Sequence, residues 1–526
     1  MKSPIIIGTR GSELALWQAN FTKNELAKHG IQSELKIIKT KGDATQQWNL
    51  SFDKLEGKGF FTKELEEALL NNEIDLAVHS CKDLPTTSPD GLTITAYSKR
   101  ANPFDILLIR KECADETAFL KLKKNATVGT SSARRKSQLL ALRPDIQLND
   151  LRGNVPSRIK KLKEEQYDAI TLASAGVERL NIDLNDFIQV PLQAPMFVPA
   201  PAQGVLAFQV RANDERLKEI CAVLNDKNSA EIASIERQIL HDFDGGCQMP
   251  LGVYVEKINQ EFHIWIAQAK AWNTLPWRKH IVLDSSSIQN VEAIKNLSAS
   301  LVSTFKMNTI KSVFVSSDID ASNLLVRTLE EHQSNISYHT FIEFSAVDFK
   351  LPDAIDWIFF SSKNGVKFFF DKFDYKSINK IKVAAVNQGT AQALLERGVK
   401  VDFVGNGNDL KAISIAFDTI ASGKILFVQA QQSLRSIQKN MQKNTDFDTV
   451  IAYKNKPKSP IEKRNEEVLI FTSPMNATAY FEIHSLDINQ RVIAIGSSTA
   501  NKLNELGIQS FKTAYEPTWW SMLDEL

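Results

Sequence analysis

Residues 76–86 read LAVHSCKDLPT, an apolar run followed at once by polar and charged residues and a proline. The run predicts a short buried strand, so the polar residues stand just past its carboxyl end, where open α/β sheets bind their ligands. Similar runs at 4–7, 126–128 and 169–172 alternate with helix-length amphipathic stretches. Because this alternation is typical of largely parallel sheets covered by helices, we predict an α/β fold for the N-terminal half.

Length and composition narrow the class of protein. A chain of 526 residues exceeds what one hydrophobic core supports, and 43% apolar with 24% charged residues is a globular composition, so several domains are expected. The 63 Lys and Arg residues balance 62 Asp and Glu residues, which argues against nucleic acid or a membrane surface as a partner. The sequence shows no secretory signal, no span-length apolar run and no CxxC pair. We expect a soluble cytoplasmic protein without disulfide bonds or a metal site.

The C-terminal half contains an internal repeat. Residues 357–370, WIFFSSKNGVKFFF, align with 468–481, VLIFTSPMNATAYF, and 383–398 align with 492–507, about 110 residues further on. Each copy reads as an apolar strand, a polar turn and a helix, so we predict two similar α/β lobes with a binding cleft between them. A weakly patterned stretch near Asn308 marks the boundary with the N-terminal half.

A carboxylate follows the predicted strand at 76–78. Pro85 stiffens the loop that presents Asp83, and a fixed carboxylate there can act as a general acid and stabilise a developing cation. The alternative is that Lys82 and Asp83 form an exposed charged turn.

Several arginines stand at predicted strand ends, and each can donate two parallel hydrogen bonds to a carboxylate. Ser12 is expected to cap the first helix, and the helix that follows Thr130 and Ser132 offers its N-terminal amides to an anion. Solvated surface charges and a phosphate site are the alternatives, but the clustering favours a cleft built for a polycarboxylate. The arginines are Arg10, Arg134, Arg135, Arg152 and Arg158.

Cys247 stands in GGCQMPLG at 245–252, where glycines and a proline predict a tight, accessible loop. A thiol framed in this way suggests a covalent attachment point or a nucleophile, with an inert buried cysteine as the alternative.

These residues belong to seven segments in a fixed order: GTRGSELALWQ, GKGFFTKELE, AVHSCKDLPT, VGTSSARRKSQL, LRGNVPSR, PAPAQGV and GGCQMPLG. Together they resemble porphobilinogen deaminase (hydroxymethylbilane synthase) over residues 1–308. The resemblance implies two α/β lobes of the periplasmic-binding-protein type (type II) and a small α+β domain that carries the cofactor cysteine. We place lobe 1 at about 1–98 and 199–213, lobe 2 at about 99–198 and the third domain at about 214–306.

The resemblance also implies an activity and residue roles. Four porphobilinogen molecules would be deaminated and condensed into hydroxymethylbilane on a dipyrromethane cofactor attached to Cys247, with Asp83 and Lys82 as catalytic residues. Phe61 would lie in the active-site loop. The cofactor would also be bound by Ser12, Lys58, Asp83, Thr130, Ser132, Arg134, Arg135, Arg152 and Gly153, and the substrate by Arg10, Arg152, Arg158, Arg179 and Gln203. Two departures are Cys81, where Met or Leu is common, and Ala202, where many members have Gly.

The C-terminal half is similar to uroporphyrinogen-III synthase in FFSSKNGV, IFTSPMNATAYF, AIGSSTANKL and EPTWWSMLDEL, over about 311–526. The resemblance implies two doubly wound α/β lobes, at about 309–342 with 455–526 and at about 343–454. They would close hydroxymethylbilane to uroporphyrinogen III with inversion of the last pyrrole ring, without metal or cofactor. Tyr453 would assist loss of the hydroxyl, and Asn387 replaces a Gly common in the family. The cleft would be lined by Ser362, Asn364, Ser473 and Thr499, with ordinary helix capping as the alternative role.

Two other functions stay open on the sequence. The chain can be an active deaminase with a non-catalytic C-terminal docking domain, or a cytoplasmic anion-binding protein without a covalent cofactor, because one fold serves several functions. We expect a monomer whose partners are the small molecules porphobilinogen and hydroxymethylbilane.

Overall fold

The computed structural model describes residues 3–39, 62–244, 249–287, 291–307, 310–378, 380–405, 409–441 and 446–526. Three residues with predicted roles, Lys58, Phe61 and Cys247, lie outside the described residues. Over the ranges given, no helix has the length and apolar character needed to cross a membrane.

Strands occur throughout both halves of the chain. In chain order they are β1 Ile5–Thr9, β2 Ser33–Ile37, β3 Leu76–Ser80, β4 Leu92–Tyr97, β5 Asp105–Arg110, β6 Thr127–Gly129, β7 Gln147–Asn149, β8 Ala169–Ala173, β9 Phe187–Leu192, β10 Leu206–Arg211, β11 Leu251–Ile258, β12 Glu261–Gln268, β13 Trp277–Asp284, β14 Ser312–Val315, β15 Asn335–Tyr338, β16 Ile342–Ala346, β17 Trp357–Phe360, β18 Lys382–Ala385, β19 Phe403–Val404, β20 Ile425–Ala430, β21 Phe447–Pro457, β22 Val468–Phe471, β23 Arg491–Ala494 and β24 Lys512–Thr513.

Helices alternate with most of these strands, as an α/β fold requires. They are α1 Glu13–Lys28, α2 Lys63–Leu70, α3 Ala133–Leu142, α4 Val155–Lys163, α5 Ser174–Arg179, α6 Glu215–Cys221, α7 Lys227–Asp242, α8 Val291–Met307, α9 Leu324–Glu331, α10 Lys363–Phe370, α11 Gln388–Leu395, α12 Leu410–Ile420, α13 Ser436–Asn440, α14 Pro474–Phe481, α15 Ser497–Glu505 and α16 Trp519–Asp524.

The first two sheets have the same arrangement of parallel and antiparallel strands. Their strand orders are β2-β1-β3-β10-β4 and β7-β6-β8-β5-β9. In each, three parallel strands are followed by an antiparallel one, which is β10 in the first sheet and β5 in the second. Because β10 follows the whole second sheet in the chain, the chain passes between the sheets twice, through segments 98–104 and 193–205. We call 193–205 the return crossover.

The third sheet is antiparallel, in the order β11-β12-β13, and each of its faces contains buried residues. Side chains alternate along β12, as a pleated strand requires. Phe262 and Ile264 pack in one core with α7 and α8, whereas Trp265 faces the other way and packs with Val198 of the return crossover. The third sheet is thereby fixed against the segment that joins the first two.

The fourth and fifth sheets contain the two copies of the repeat. The fourth, β15-β14-β22-β23-β24, is parallel, and the fifth, β16-β21-β20-β17-β18-β19, is parallel except for β16. Every residue of β17 and β22 is buried, because apolar clusters cover both faces of each sheet. The predicted fold class, with two similar doubly wound lobes at the C-terminal side, is confirmed.

One apolar core runs from the third sheet into the fourth. It contains Ile264 of β12, Val302 of α8, Val313 of β14 and Leu523 of α16. Leu523 is 1% exposed. The N-terminal and C-terminal halves are therefore packed on each other.

Candidate active sites

The loop that carries Asp83 is fixed by helix α7. After β3, residues Cys81–Asp83 form one 3-10 turn in which Asp83 is exposed. The guanidinium of Arg237 on α7 donates to the carbonyl oxygens of Cys81 at 3.2 Å, Leu84 at 3.4 Å and Pro85 at 2.6 Å. Sequence reasoning missed Arg237, because its partners are backbone groups about 150 residues away in the chain.

A buried network of charges links the first sheet to the second. Asp105, fully buried at the start of β5, accepts from Arg134 Nη1 at 2.8 Å and from Arg135 Nη2 at 2.7 Å. Gln203 donates to Asp105 at 3.1 Å and accepts from Lys82 Nζ at 3.2 Å. Burial alone would raise the pKa of Asp105, but the two guanidiniums outweigh it and hold that pKa well below its usual range. The predicted ligands Lys82, Gln203, Arg134 and Arg135 thus meet at a carboxylate that was not predicted.

Three cations of the candidate site are half-buried. Burial lowers the pKa of Lys82 to about 8 and that of Arg179 to about 10. Burial and the nearby Arg135 lower the pKa of Arg158 to about 10. Arg158 Nε donates to the carbonyl of Gly153 at 2.8 Å. Burial disfavours the charged form of these side chains, so an anion bound beside them would stabilise that form.

The smaller predicted ligands stand at helix starts and strand ends. Ser12 caps α1 and Ser132 caps α3, and Thr130 is buried beside Ser132, whose amide approaches the Thr130 hydroxyl at 3.4 Å. Arg10 and Arg152 are half-buried just past β1 and β7. Arg10 and Ser12 follow β1, which neighbours the β3 strand that precedes Asp83, whereas Thr130, Ser132 and Arg152 follow strands of the second sheet. All of them lie just past the carboxyl ends of parallel strands, where an open α/β sheet binds ligands.

Ala202 stands in the left-handed region, with φ of 57°. Two residues on, Gly204 has φ of 90°, and a Cβ there would lie 2.6 Å from the carbonyl oxygen of Ala101. Ala202 is held in place because its amide donates to the buried carboxylate of Glu236 at 2.6 Å. A left-handed conformation costs an alanine about 1–2 kcal/mol, which is the physical reason that a glycine suits this position.

The second candidate site, in the fifth sheet, consists of a hydroxyl pair. Ser362 caps α10 by accepting from the amide of Gly365 at 3.0 Å, and its Oγ lies 2.9 Å from the Tyr453 hydroxyl. Tyr453 is 5% exposed, and its ring stacks on Phe368 at 5.4 Å and contacts Phe344 at 6.0 Å. Burial raises the pKa of Tyr453, which keeps the phenol protonated and able to donate.

The other predicted residues of the synthase-like half are Ser473 and Thr499, in the second copy of the repeat, and Asn364, in the first. Ser473 caps α14, accepting from the amide of Asn476 at 3.2 Å and from its side chain at 3.0 Å. Thr499 on α15 is fully buried, and its hydroxyl has no hydrogen-bond partner in the described part of the chain. Asn364 is half-buried in the first turn of α10. Capping and cleft-lining roles are compatible for the serines, because a capping oxygen keeps a second lone pair.

Two family profiles match the chain. The profile of the family described as porphobilinogen deaminase, dipyromethane cofactor binding domain, matches residues 5–219, and that of uroporphyrinogen-III synthase HemD matches residues 298–524. The porphobilinogen deaminase of Chlorobium phaeobacteroides is 44% identical over 266 residues, which are 50% of this chain and 82% of that protein. The one from Chlorobaculum tepidum is 44% identical over 256 residues, 48% of this chain and 80% of that protein. The solved uroporphyrinogen-III synthetase of Helicobacter pylori is similar with 24% identity and a TM-score of 0.33, covering 41% of this chain and 97% of that one.

These matches define a protein of tetrapyrrole biosynthesis with two enzyme domains. The chain belongs to the porphobilinogen deaminase family and carries a uroporphyrinogen-III synthase domain on its C-terminal side. We refer below to its deaminase half and its synthase half.

Proposed function

We propose that Asp83 and the surrounding cations carry out the deaminase reaction, which joins porphobilinogen molecules into hydroxymethylbilane. One observation carries the proposal: an exposed carboxylate, Asp83, stands on a loop fixed by Arg237 and lies close enough to Lys82 and Arg158 to act on them electrostatically. We also assign lobe 1 to about 1–98 and 199–213, lobe 2 to about 99–198, and the third domain to about 214–306. The membership of the first three sheets supports that division.

These half-buried cations suit a dipyrromethane group, which carries several carboxylates. Lys82, Arg158 and Arg179 would each hold one of those acids, since a carboxylate beside a partly desolvated cation forms a charge-assisted hydrogen bond. The bound group would supply the pyrrole chain to which new units are added. Asp83 would stabilise the positive charge that develops as ammonia leaves the substrate, and would accept the proton released on condensation.

Cys247 remains our candidate for the covalent attachment. Each thiol in the described residues is a poor nucleophile: burial raises the pKa of Cys81 to about 11, that of Cys113 to about 11 and that of Cys221 to about 12. Because the thiolate is the reacting form, the Cys81 thiol near Asp83 does not compete for attachment.

The test is the intact mass of the full chain after expression with porphobilinogen present. We expect a mass increase equal to a dipyrromethane in the wild type and in Cys81→Ser, and the unmodified mass in Cys247→Ser. An adduct that survives in Cys247→Ser would refute the attachment. An unmodified wild type would favour the anion-binding alternative.

For the synthase half, we propose that Tyr453 donates a proton to the departing hydroxyl of hydroxymethylbilane, with Ser362 orienting its phenol. The 2.9 Å contact between the two hydroxyls and the burial of Tyr453 support this role. Ser473, Asn364 and Thr499 would line the same cleft. The corresponding lobes are assigned to about 309–342 with 455–526 and about 343–454.

Product analysis tests this assignment. The wild type should yield uroporphyrinogen III, whereas Tyr453→Phe should release hydroxymethylbilane that closes spontaneously to the type I isomer, with ring-closure slowed roughly 10²-fold. Tyr338→Phe, a tyrosine of the fourth sheet, is the matched control and should keep the wild-type product. Type I product from the wild type would instead support a non-catalytic C-terminal domain.

A further inference from the structure

Asp524, near the end of the synthase half, reaches the deaminase half through Arg278 of β13. Arg278 donates from Nε to Asp524 Oδ1 at 2.8 Å and from Nη2 to Oδ2 at 3.2 Å. The same guanidinium donates to the carbonyl oxygens of Pro195 and Met196 in the return crossover. Arg278 and Asp524 are 4% and 1% exposed, so a change in either one leaves a buried charge without its partner.

The return crossover is bonded in turn to helix α3. The carbonyl oxygen of Val198 accepts from Arg134 Nη1 at 3.0 Å and from Gln138 Nε2 at 2.9 Å. The amide of Val198 donates back to Gln138 Oε1 at 2.7 Å. Asp524 is therefore connected, through Arg278 and three residues of backbone, to the helix that presents Arg134 to Asp105.

The far end of α3 is held by the synthase half as well. Arg327 on α9 donates from Nη1 to the carbonyl of Ala141 and from Nη2 to the carbonyl of Leu140, both at 3.0 Å. The last four carbonyls of a helix lack partners within the helix, and a cation there also interacts favourably with the helix dipole. The synthase half thus contacts α3 directly at its C-terminal end and indirectly at the end that bears Arg134.

We propose that Arg327 and Asp524, both in the synthase half, are positioning residues of the deaminase site. By bracing α3 and the return crossover they fix the Arg134 and Arg135 guanidiniums against Asp105. The inference rests on the proposed function, because Gln203 joins Asp105 to Lys82, one of the cations proposed to hold substrate and cofactor acids. A shift of α3 by a fraction of an ångström would alter the charge-assisted hydrogen bonds at its start, so the main effect should be on binding.

The test uses the full chain in five variants, with the KM for porphobilinogen and the kcat of the deaminase measured separately. We expect Arg327→Met and Asp524→Asn to raise KM at least about fivefold, with a smaller change in kcat. About fivefold is the lower end of the affinity changes that coupled sites in one protein produce. Arg327→Lys should recover part of the loss, because an ammonium can still bond one of the two carbonyls. Arg491→Met and Glu525→Gln are the matched controls, and both should keep the wild-type KM. Arg491 pairs with Glu467 inside the synthase half, and Glu525 contacts His280 rather than Arg278.

Thermal unfolding of each variant separates positioning from stability alone. Unfolding temperatures that fall while KM stays within twofold of the wild type would overturn the proposal, as would equal KM values for Arg327→Lys and Arg327→Met. If Asp524→Asn does not fold, the comparison of Arg327→Met with Arg327→Lys decides the matter. A wild-type chain that makes no hydroxymethylbilane would refute the proposed deaminase function. That outcome is distinguishable from loss of the positioning role, in which the wild type is active.

Discussion

The deaminase cleft and the synthase cleft differ in the chemical groups that form them. The first depends on buried ions, with Asp105, Arg134 and Arg135 paired below 9% exposure, whereas the second depends on neutral hydroxyls such as Ser362 and Tyr453. A buried ion needs a partner, and here the partners come from distant segments. A capping hydroxyl needs only the helix that follows it. The deaminase site should therefore be sensitive to changes in several sheets and in both halves of the chain, and the synthase site mainly to changes around the fifth sheet, which positions both Ser362 and Tyr453.

The largest effect that this contrast predicts is that of Asp105→Asn. The substitution leaves two buried guanidiniums without their carboxylate, and breaking such a pair costs about 3–5 kcal/mol in the free energy of unfolding. The midpoint of urea unfolding should fall and the deaminase rate should drop below detection. Asp186→Asn, at an exposed pair with Lys163, is the control and should leave both unchanged. An unchanged midpoint in Asp105→Asn would mean that the buried network contributes no stability.

A smaller effect should appear in the pH dependence of the deaminase half. The pKa of Lys82, lowered by burial to about 8, means that its ammonium is charged below pH 8 and loses its proton above it. Binding of substrate acids should weaken accordingly, so kcat/KM should fall by up to roughly tenfold per pH unit above pH 8. Lys82→Arg keeps its charge, and this decline should move beyond pH 9. A decline near pH 8 that persists in Lys82→Arg would assign the titration to another group.

The smallest effect should come from Asn387→Gly in the synthase half. Asn387 caps α11 by accepting from the amide of Thr390 at 2.9 Å, and its φ of −156° is extended, so glycine is not required. The aligned residue of the other repeat copy, Gly496, caps α15 without a side chain. Replacing an asparagine cap with glycine costs only a few tenths of a kcal/mol. The yield of uroporphyrinogen III should stay constant, and a clear gain would show that Asn387 obstructs the cleft.

The sequence predicted the fold class because apolar runs, polar strand ends and an internal repeat are local signals. Ser362 and Ser473, which follow the repeated strands directly, are capping residues as their positions suggested. The partners of the charged residues were not predictable in the same way. Arg237 and Arg278 bind backbone carbonyls, which carry no residue-specific signal. Asp105, in contrast, did carry a sequence signal. It is the first residue of the apolar strand DILLIR, and an acidic residue buried with such a strand requires cationic partners.

The order of the strands has a consequence for synthesis of the chain on the ribosome. Residue Ser80 of β3 pairs with Leu206 of β10, and Val313 of β14 pairs with Val468 of β22, whereas the second and fifth sheets are each formed by one continuous stretch. As the chain emerges, the second sheet can therefore fold before the first is complete, and the fifth before the fourth. Until β10 and β22 arrive, β3 and β14 expose open strand edges, which are the places where another nascent chain can pair. We expect aggregation during expression to involve these two strands first.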